Sequence, residues 1–124
     1  MYSRMLIPLD GSKVAEQVLP YARCLAKKLS LPVELFQAVD AEGLESLANP
    51  AQGRYVDTLL NEKRTSSAEY LEGVGRSFEA VGLSSAVEIG KPQDLILDKA
   101  GADPQTLVLM ATHGRSGFQR WALG

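Results

Sequence analysis

Short apolar runs alternate with longer amphipathic segments along this 124-residue chain. The apolar runs end in glycine or polar turns and predict four strands, at residues 5–9, 31–39, 86–89 and 106–110. The segments between them repeat apolar residues at steps of three and four, which predicts helices at residues 13–29, 55–81 and 92–101. Strands that alternate with helices pair in parallel through right-handed crossovers. The sequence therefore predicts an α/β fold, a doubly wound parallel sheet, in a single domain over residues 1–124.

Local signals set expectations for the ends of individual elements. Pro20 lies inside the first helical segment, where it removes a backbone hydrogen bond, so we expect a bent helix. Ser12 is suited to cap the start of that helix, and Gly82 is placed to end the second one. Residues 40–53 show no clear period and predict a long loop that includes solvated acidic side chains.

Composition and charge argue against several classes of function. The net charge of −2 and the pI near 5.4 give no general attraction to nucleic acid or to an anionic membrane. No apolar run approaches the ~20 residues of a membrane-spanning helix, and the N-terminus has no signal-peptide pattern. We therefore expect a soluble cytoplasmic protein that binds neither nucleic acid nor membrane.

We expect neither the single cysteine nor the single histidine to be a catalytic residue. Cys24 excludes an internal disulfide, and its place in an apolar helical stretch favours a small core residue over a reactive thiol. His113 has no second histidine or cysteine with which to bind a metal, and we interpret it as a loop residue rather than a general base. No Gly-x-Ser-x-Gly elbow occurs, so we predict no catalytic residues.

A glycine-rich loop follows the fourth predicted strand, at residues 111–117. Gly114 and Gly117 allow a ligand to approach the backbone, and amides at the start of a helix bind anions. Thr112, Arg115 and Ser116 can add hydrogen bonds. Parallel strands gather their carboxyl ends at one edge, so this loop should meet Asp10, residues 38–40 and Gly90 there. The pattern is compatible with a phosphate site, and also with glycines that simply make turns.

Two common nucleotide-binding signatures are absent, since the chain has neither the Gly-Lys-Ser/Thr phosphate loop nor the dinucleotide fingerprint. Three other segments nevertheless resemble the universal stress protein family: IPLDGS at 7–12, GKP at 90–92, and MATHGRSG at 110–117 continuing to WALG at 121–124. The resemblance runs over residues 5–124. It implies a Rossmann-like fold similar to the adenine nucleotide alpha hydrolases, usually with five parallel strands, and a homodimer.

The ATP-binding branch of that family carries Gly-x2-Gly-x9-Gly followed by Ser or Thr. Matched residue by residue, the second and third glycines fall on Gly114 and Gly124, while the first falls on Ala111. The sequence ends before the position of the hydroxyl. The resemblance implies a site for an adenine nucleotide bound with Mg²⁺. The residues of this site are Pro8, Asp10, Ala38, Val39, Met110, Ala111, Thr112, His113, Gly114, Arg115, Ser116, Gly117 and Gly124.

Roles within this set also follow from the resemblance. Asp10 would face the ribose or adenine, and the backbone near Ala38 and Val39 would meet the adenine edge. Pro8 and Met110 would line the apolar part of the site. The phosphates would rest on the amides of residues 112–117 and near Gly124.

Two functions remain open at this point. One is a small ATP-binding regulatory domain of the stress response, with little or no hydrolysis and an unidentified partner. The other is a nucleotide-free dimeric scaffold, favoured by Ala111 and the missing hydroxyl. Because family members continue with a helix and a fifth strand, we expect a C-terminally incomplete domain with four strands. We place Trp121 in the turn of helix that begins after the loop, as a core or partner-packing residue.

Overall fold

The structure, a computed structural model, describes residues 1–40, 53–80, 82–113 and 119–123. Its strands are β1 (Arg4–Pro8), β2 (Val33–Val39), β3 (Leu83–Ile89), β4 (Thr106–His113) and β5 (Gln119–Leu123). Its helices are α1 (Lys13–Glu16), α2 (Leu19–Leu29), α3 (Gly53–Gly75) and α4 (Pro92–Gly101). Most of the predicted long loop, including Glu42 and Glu45, lies outside the described residues.

The strands form one sheet in the order β3-β2-β1-β4-β5. The pairs β1–β2, β2–β3 and β1–β4 are parallel, which confirms the predicted four-stranded parallel sheet. The chain moves outward from β1 to β3 and then returns to place β4 on the other side of β1. The strand order therefore reverses between β1 and β4, where open α/β sheets form their ligand crevices.

The segment around Trp121 corrects one expectation. Residues 119–123 form β5, which pairs antiparallel with β4 and places Trp121 opposite Ala111. A helical turn was expected here. An edge strand presents unpaired backbone N–H and C=O groups, and an adjacent segment that can extend satisfies them, so pairing replaces the helix.

Helices cover both faces of the sheet. Alternate residues of a strand point to opposite faces. One face buries a large apolar cluster against α1, α2 and α3, with Ile7, Leu35 and Leu109 among its strand residues. On the other face, the Lys99 ammonium of α4 lies 5.0 Å from the centre of the Phe36 ring.

Proline divides the first helical segment instead of bending it. Pro20 lies in the first turn of α2, where its missing N–H leaves no intrahelical bond unmade. Gln17 and Val18 donate backbone hydrogen bonds three residues back, to Val14 and Ala15, so a tight turn separates α1 from α2. Ser12 caps α1 as predicted, because its Oγ accepts a hydrogen bond from Ala15 N–H at 3.1 Å.

The second helical segment ends earlier than predicted. α3 stops at Gly75, and Gly82 lies directly before β3, so Gly82 does not cap the helix. A Cβ atom on Gly75 would lie 2.8 Å from Leu83 Cδ2. Glycine at this position thus allows the end of α3 to pack closely against β3.

Cys24 lies on the exposed side of α2, so its assignment to the core was wrong. Ala22 and Ala26 fill the buried side of this helix. Cys24 is offset from both by two residues, about 200° around the helix, which turns it toward solvent.

Candidate functional site

A cleft of about 260 Å³ opens at the carboxyl ends of the strands, next to the β1–β4 reversal. It brings together five of the residues predicted for the nucleotide site: Pro8, Asp10, Ala38, Met110 and Ala111. The same cleft is completed by residues that the sequence reasoning missed: Leu9, Val14, Ala15, Phe36, Pro92 and Ile96. Five elements and the turn after β1 therefore contribute to this one concave surface.

The turn between β1 and α1 fixes the carboxylate at the rim of the cleft. Asp10 Oδ1 accepts a hydrogen bond from Ser12 N–H at 2.8 Å, which closes an Asx turn. Gly11 between them has φ of +84°, a left-handed conformation that glycine adopts without strain. Asp10 itself is exposed, so the turn holds a charged hydrogen-bond acceptor in a defined place facing solvent.

The walls of the cleft are mainly apolar. Pro8 and Phe36 lie side by side in the β1–β2 register, and Ala38 follows Phe36 on the same face of β2. Met110 of β4 and Ile96 of α4 face them across the cleft. A flat apolar ring suits such walls, and a group with hydrogen-bond donors suits the carboxylate at the rim.

Register and topology are the signals by which the missed residues could have been found. Phe36 is two residues before Ala38 and therefore shares its face of β2. Pro92 begins α4 at the carboxyl end of β3, and a helix that returns over the sheet from there must pass the cleft. Predicted strands alone do not give this register, because it depends on which residues pair across the sheet.

Val39 does not line the cleft. Its side chain is buried, with 2% of its surface exposed, and lies on the opposite face from Ala38. Its carbonyl oxygen accepts a hydrogen bond from Gly90 N–H at 2.9 Å. The Val39 backbone was expected to meet the adenine edge. Its carbonyl oxygen is already hydrogen-bonded to the turn after β3.

The predicted loop after β4 begins later than expected. Thr112 and His113 belong to β4 and pair with Arg120 and Gln119 of β5. Residues of an antiparallel pair alternate between hydrogen-bonded and non-hydrogen-bonded positions, so this pairing engages part of the backbone that was predicted to face phosphates. Gly114, Arg115, Ser116, Gly117 and Gly124 lie outside the described residues.

Metal-binding clusters and membrane-spanning helices are both absent from the part of the chain that the structure describes. Among residues 1–40, 53–80, 82–113 and 119–123, no group of three or more His, Cys, Asp or Glu side chains could hold a metal ion. Within the same ranges, no helix has both the length and the apolar character needed to span a membrane.

Comparisons with known proteins bear on the identity of the chain. Universal stress protein MJ0531 of Methanocaldococcus jannaschii is 30% identical over 128 residues, covering 100% of this chain and 72% of that protein. Universal stress protein Sll1388 of Synechocystis sp. is 24% identical over 133 residues, covering 99% of this chain and 86% of that protein.

The fold is also similar to solved structures. Universal stress protein UspA from Lactobacillus plantarum superposes with a TM-score of 0.76 at 22% identity, covering 99% of this chain and 86% of that one. At this identity the likeness concerns the fold alone. The sequence matches the model of the universal stress protein family over residues 1–124. With a curated relative at 30% identity as well, the chain belongs to the universal stress protein family.

Proposed function

We propose that this chain is a small ATP-binding regulatory domain of the stress response, active in the cytoplasm. Membership of the universal stress protein family supports the role in stress response. The observation that carries the nucleotide proposal is the cleft, which gathers Pro8, Asp10, Ala38, Met110 and Ala111 where the strand order reverses. Open α/β sheets bind nucleotides at this position.

The size and chemistry of the cleft suit the adenosine part of the ligand. Its volume of about 260 Å³ lies just below the ~300–1,000 Å³ typical of pockets for complete small ligands. Adenine would lie between the apolar walls of Phe36, Met110 and Ile96, and the Asp10 carboxylate would accept hydrogen bonds from ribose hydroxyls. The triphosphate would extend beyond the cleft. Residues 114–117, which the sequence predicts to bind it, lie outside the described residues.

Bound ATP would supply a charged ligand whose binding and release switch the state of the protein. Mg²⁺ bound with ATP is held mainly by phosphate oxygens and water, with little demand on the protein. None of the residues that line the cleft is a base positioned to activate water, apart from the rim carboxylate that already holds its own turn. We therefore propose regulation through binding, with at most slow hydrolysis.

Isothermal titration of the chain with Mg²⁺-ATP tests this proposal. Asp10→Ala should weaken binding about tenfold or more, because it removes a charged hydrogen-bond acceptor and the turn that positions it. Asp98→Ala is the matched control, since Asp98 is an exposed aspartate on α4 that does not line the cleft. Absence of any heat of binding, or equal losses in both variants, would contradict the proposal.

A nucleotide-free dimeric scaffold is the second candidate. The pairing of Thr112 and His113 with β5 favours it, because backbone groups engaged in the sheet are not free to bind phosphate. Acid release of small molecules from the purified protein, followed by ion-pair chromatography, separates the two functions. Nucleotide at a ratio near one per chain supports the first, and its absence together with a concentration-dependent dimer in sedimentation supports the second.

A further inference from the structure

The outer edge of β3 lacks the sequence features that usually protect the edge of a sheet. Among the described residues, only β2 pairs with this strand. Natural proteins protect such edges with short strands, bulges, prolines or lysines. β3 has seven residues, pairs with β2 at each of them, and contains neither proline nor lysine. Its one charged side chain, Glu88, forms an ion pair with Lys99 of α4 at 3.2 Å. The edge is therefore open to pairing with another extended strand.

Two hydrogen bonds show which backbone groups of β3 point away from β2. Val33 N–H donates to the Gly82 carbonyl oxygen at 2.8 Å, and Gly90 N–H donates to the Val39 carbonyl oxygen at 2.9 Å. In a parallel pair, every second residue of a strand bonds the same neighbour, so the even-numbered residues 82–90 face β2. The N–H and C=O groups of the odd-numbered residues point to the open edge: Leu83, Ser85, Val87 and Ile89.

These outward-pointing groups are complementary to a second copy of themselves. In an antiparallel hydrogen-bonded pair, the two opposed residues donate to and accept from each other. A second β3 can run antiparallel with Ala86 opposite its own copy. Leu83 then opposes Ile89, and Ser85 opposes Val87, so all the outward-pointing residues fall in hydrogen-bonded pairs. A shift of two residues leaves some of them without a partner in the strand, and a shift of one opposes them to residues that face β2.

The side chains of β3 suit the same register. Leu83 is 46% exposed, and in this register it packs against another apolar side chain, that of Ile89. Glu88 opposes Ser84 and not a second Glu88, so no like charges lie opposite each other. Pairing with a second copy therefore covers exposed apolar surface without electrostatic repulsion.

The flank of α3 beside this edge also fits its own copy. A groove of about 310 Å³ lies between the end of α3 and β3, and its lining includes Glu72, Arg76, Ser84 and Ser85. The side chains of Glu72 and Arg76 are 73% and 78% exposed, and they carry opposite charges. A twofold axis places a surface against its own copy. A flank with one charge of each sign avoids the repulsion that a flank of a single sign would meet.

We propose that β3 pairs antiparallel with β3 of a second copy, about a twofold axis at Ala86, and joins the two sheets into one. A second copy is favoured over an unrelated strand because the backbone groups, the apolar ends and the charges of this edge each match themselves. In the sheet this edge lies opposite to β5, and the nucleotide cleft lies next to the β1–β4 reversal. The pairing therefore depends neither on ATP nor on the proposed function.

Sedimentation equilibrium over a range of protein concentrations, without nucleotide, tests the proposal. We expect a dimer with a dissociation constant of about 10–100 μM, because one strand and one helix flank a side make a small interface. Ser85→Pro should weaken this dimer about tenfold or more, since it removes an N–H that points outward and leaves the ladder with β2 intact. Ser85→Ala is the matched control and should leave the dimer unchanged, because it keeps that N–H.

Cross-linking tests the register directly, in a chain whose native cysteine is removed by Cys24→Ser. Ala86→Cys should form a disulfide with its own copy under mild oxidation, because Cα atoms in such a non-hydrogen-bonded pair lie about 4.5 Å apart. Ser84→Cys is the control on the same face of β3. It would lie about 13 Å along the strands from its own copy, too far for a disulfide. A non-reducing gel separates the covalent dimer from the monomer.

Three outcomes would overturn the proposal. The first is a monomer at all concentrations up to ~500 μM, about five times the weakest expected constant. The second is a dimer that Ser85→Pro does not weaken, and the third is equal cross-linking, or none, in the two cysteine variants. If Ser85→Pro lowers the melting temperature, the cysteine comparison alone decides. Loss of ATP binding in Asp10→Ala, with the dimer retained, would show that the pairing is separate from the nucleotide cleft.

Discussion

Ser30 holds a backbone conformation that favours glycine. It follows α2 with φ of 52° and ψ of 46°, the left-handed region that side chains other than glycine enter at a cost of about 1 kcal/mol. The neighbouring Leu31 N–H donates to the Ala26 carbonyl oxygen at 3.1 Å, so the conformation is needed to close the helix end. The backbone of Ser30 is therefore strained, and this strained conformation ends α2 directly before β2.

Ser30→Gly should therefore stabilise the chain by up to about 1 kcal/mol, because the relief of strain exceeds the added flexibility of the unfolded state. Urea denaturation at pH 7 measures the change. The same substitution at the exposed helical Ser66 should instead destabilise by about 0.5 kcal/mol. Equal signs for the two substitutions would show that the backbone of Ser30 is not strained.

Tyr70 gives the chain a specific response to alkaline pH. Burial, Glu16 and Asp10 hold the pKa of its hydroxyl above the value of about 10 found in unfolded chains. Below pH 10 both states keep the proton, so the contribution to stability is constant; above pH 10 the unfolded state loses the proton while the folded state retains it. The stability contributed by this group is consequently lost as the pH rises.

We expect the unfolding free energy of the wild type to fall relative to that of Tyr70→Phe between pH 9 and 11. Urea denaturation of both proteins across this range gives the comparison. A constant difference between them over the whole range would show that the Tyr70 hydroxyl ionises as it does in an unfolded chain.

At the scale of elements, one charged cluster joins three strands to α4. Glu34 of β2 forms ion pairs with Arg4 of β1 at 3.0 Å and with Lys99 of α4 at 3.2 Å. Lys99 also reaches Glu88 of β3 at 3.2 Å, and the Arg4 guanidinium donates to Thr106 Oγ1 at 2.8 Å. The side chains of Arg4, Glu34 and Lys99 are mostly shielded, with exposed fractions between 18 and 26%.

Glu34→Gln should destabilise the chain by about 1–3 kcal/mol, because it leaves two shielded cations with one fewer partner. Chemical denaturation at low and high salt measures the effect, which should persist at 1 M NaCl. Glu72→Gln is the control: its pair with Arg76 is 3.9 Å long and more than 70% exposed, so the change should stay below about 0.5 kcal/mol. A similar loss of unfolding free energy from both substitutions would show that the cluster stabilises the chain no more than an exposed ion pair does.

The elements also show what the sequence could and could not predict. The four parallel strands and their alternation with helices could be predicted from the apolar runs, because a strand buried on both faces needs an unbroken apolar segment. The helix ends near Pro20 and Gly75 were misjudged. Pro20 lies in the first turn of a new helix, α2, and α3 ends at Gly75, beside Leu83 of β3. Contacts of this kind exist only after the chain has folded.

For the whole molecule, the same contrast applies to the cleft. Asp10 and Ala111 were predictable because each directly follows or ends an apolar run, and parallel strands bring such positions together. Phe36 and Ile96 were not, because their place in the cleft depends on the register of β1 with β2 and on the path of α4. The nucleotide itself stays a prediction that rests on the resemblance and on the cleft.

Ala111 connects the stability of the whole molecule with its proposed function. It is 7% exposed, belongs to the main apolar cluster through β4, and also lines the cleft. The resemblance matches it to the first glycine of the family's ATP-binding motif. Ala111→Gly removes a buried methyl group and adds backbone freedom, so it should lower the unfolding free energy by about 1–2 kcal/mol. The same change enlarges the cleft beside the proposed ligand and should tighten Mg²⁺-ATP binding several-fold.

Denaturation and titration calorimetry on the same variant measure these opposite effects. Ala86→Gly, on β3 and away from the cleft, is the control that should lose stability with no change in ATP affinity. Because a ligand that binds only the folded state stabilises it by about 2.7 kcal/mol at 100 times its dissociation constant, saturating ATP should restore the stability lost in Ala111→Gly. Weaker or unchanged ATP binding in Ala111→Gly would mean that the methyl group does not limit the site, and would favour the scaffold function over the nucleotide switch.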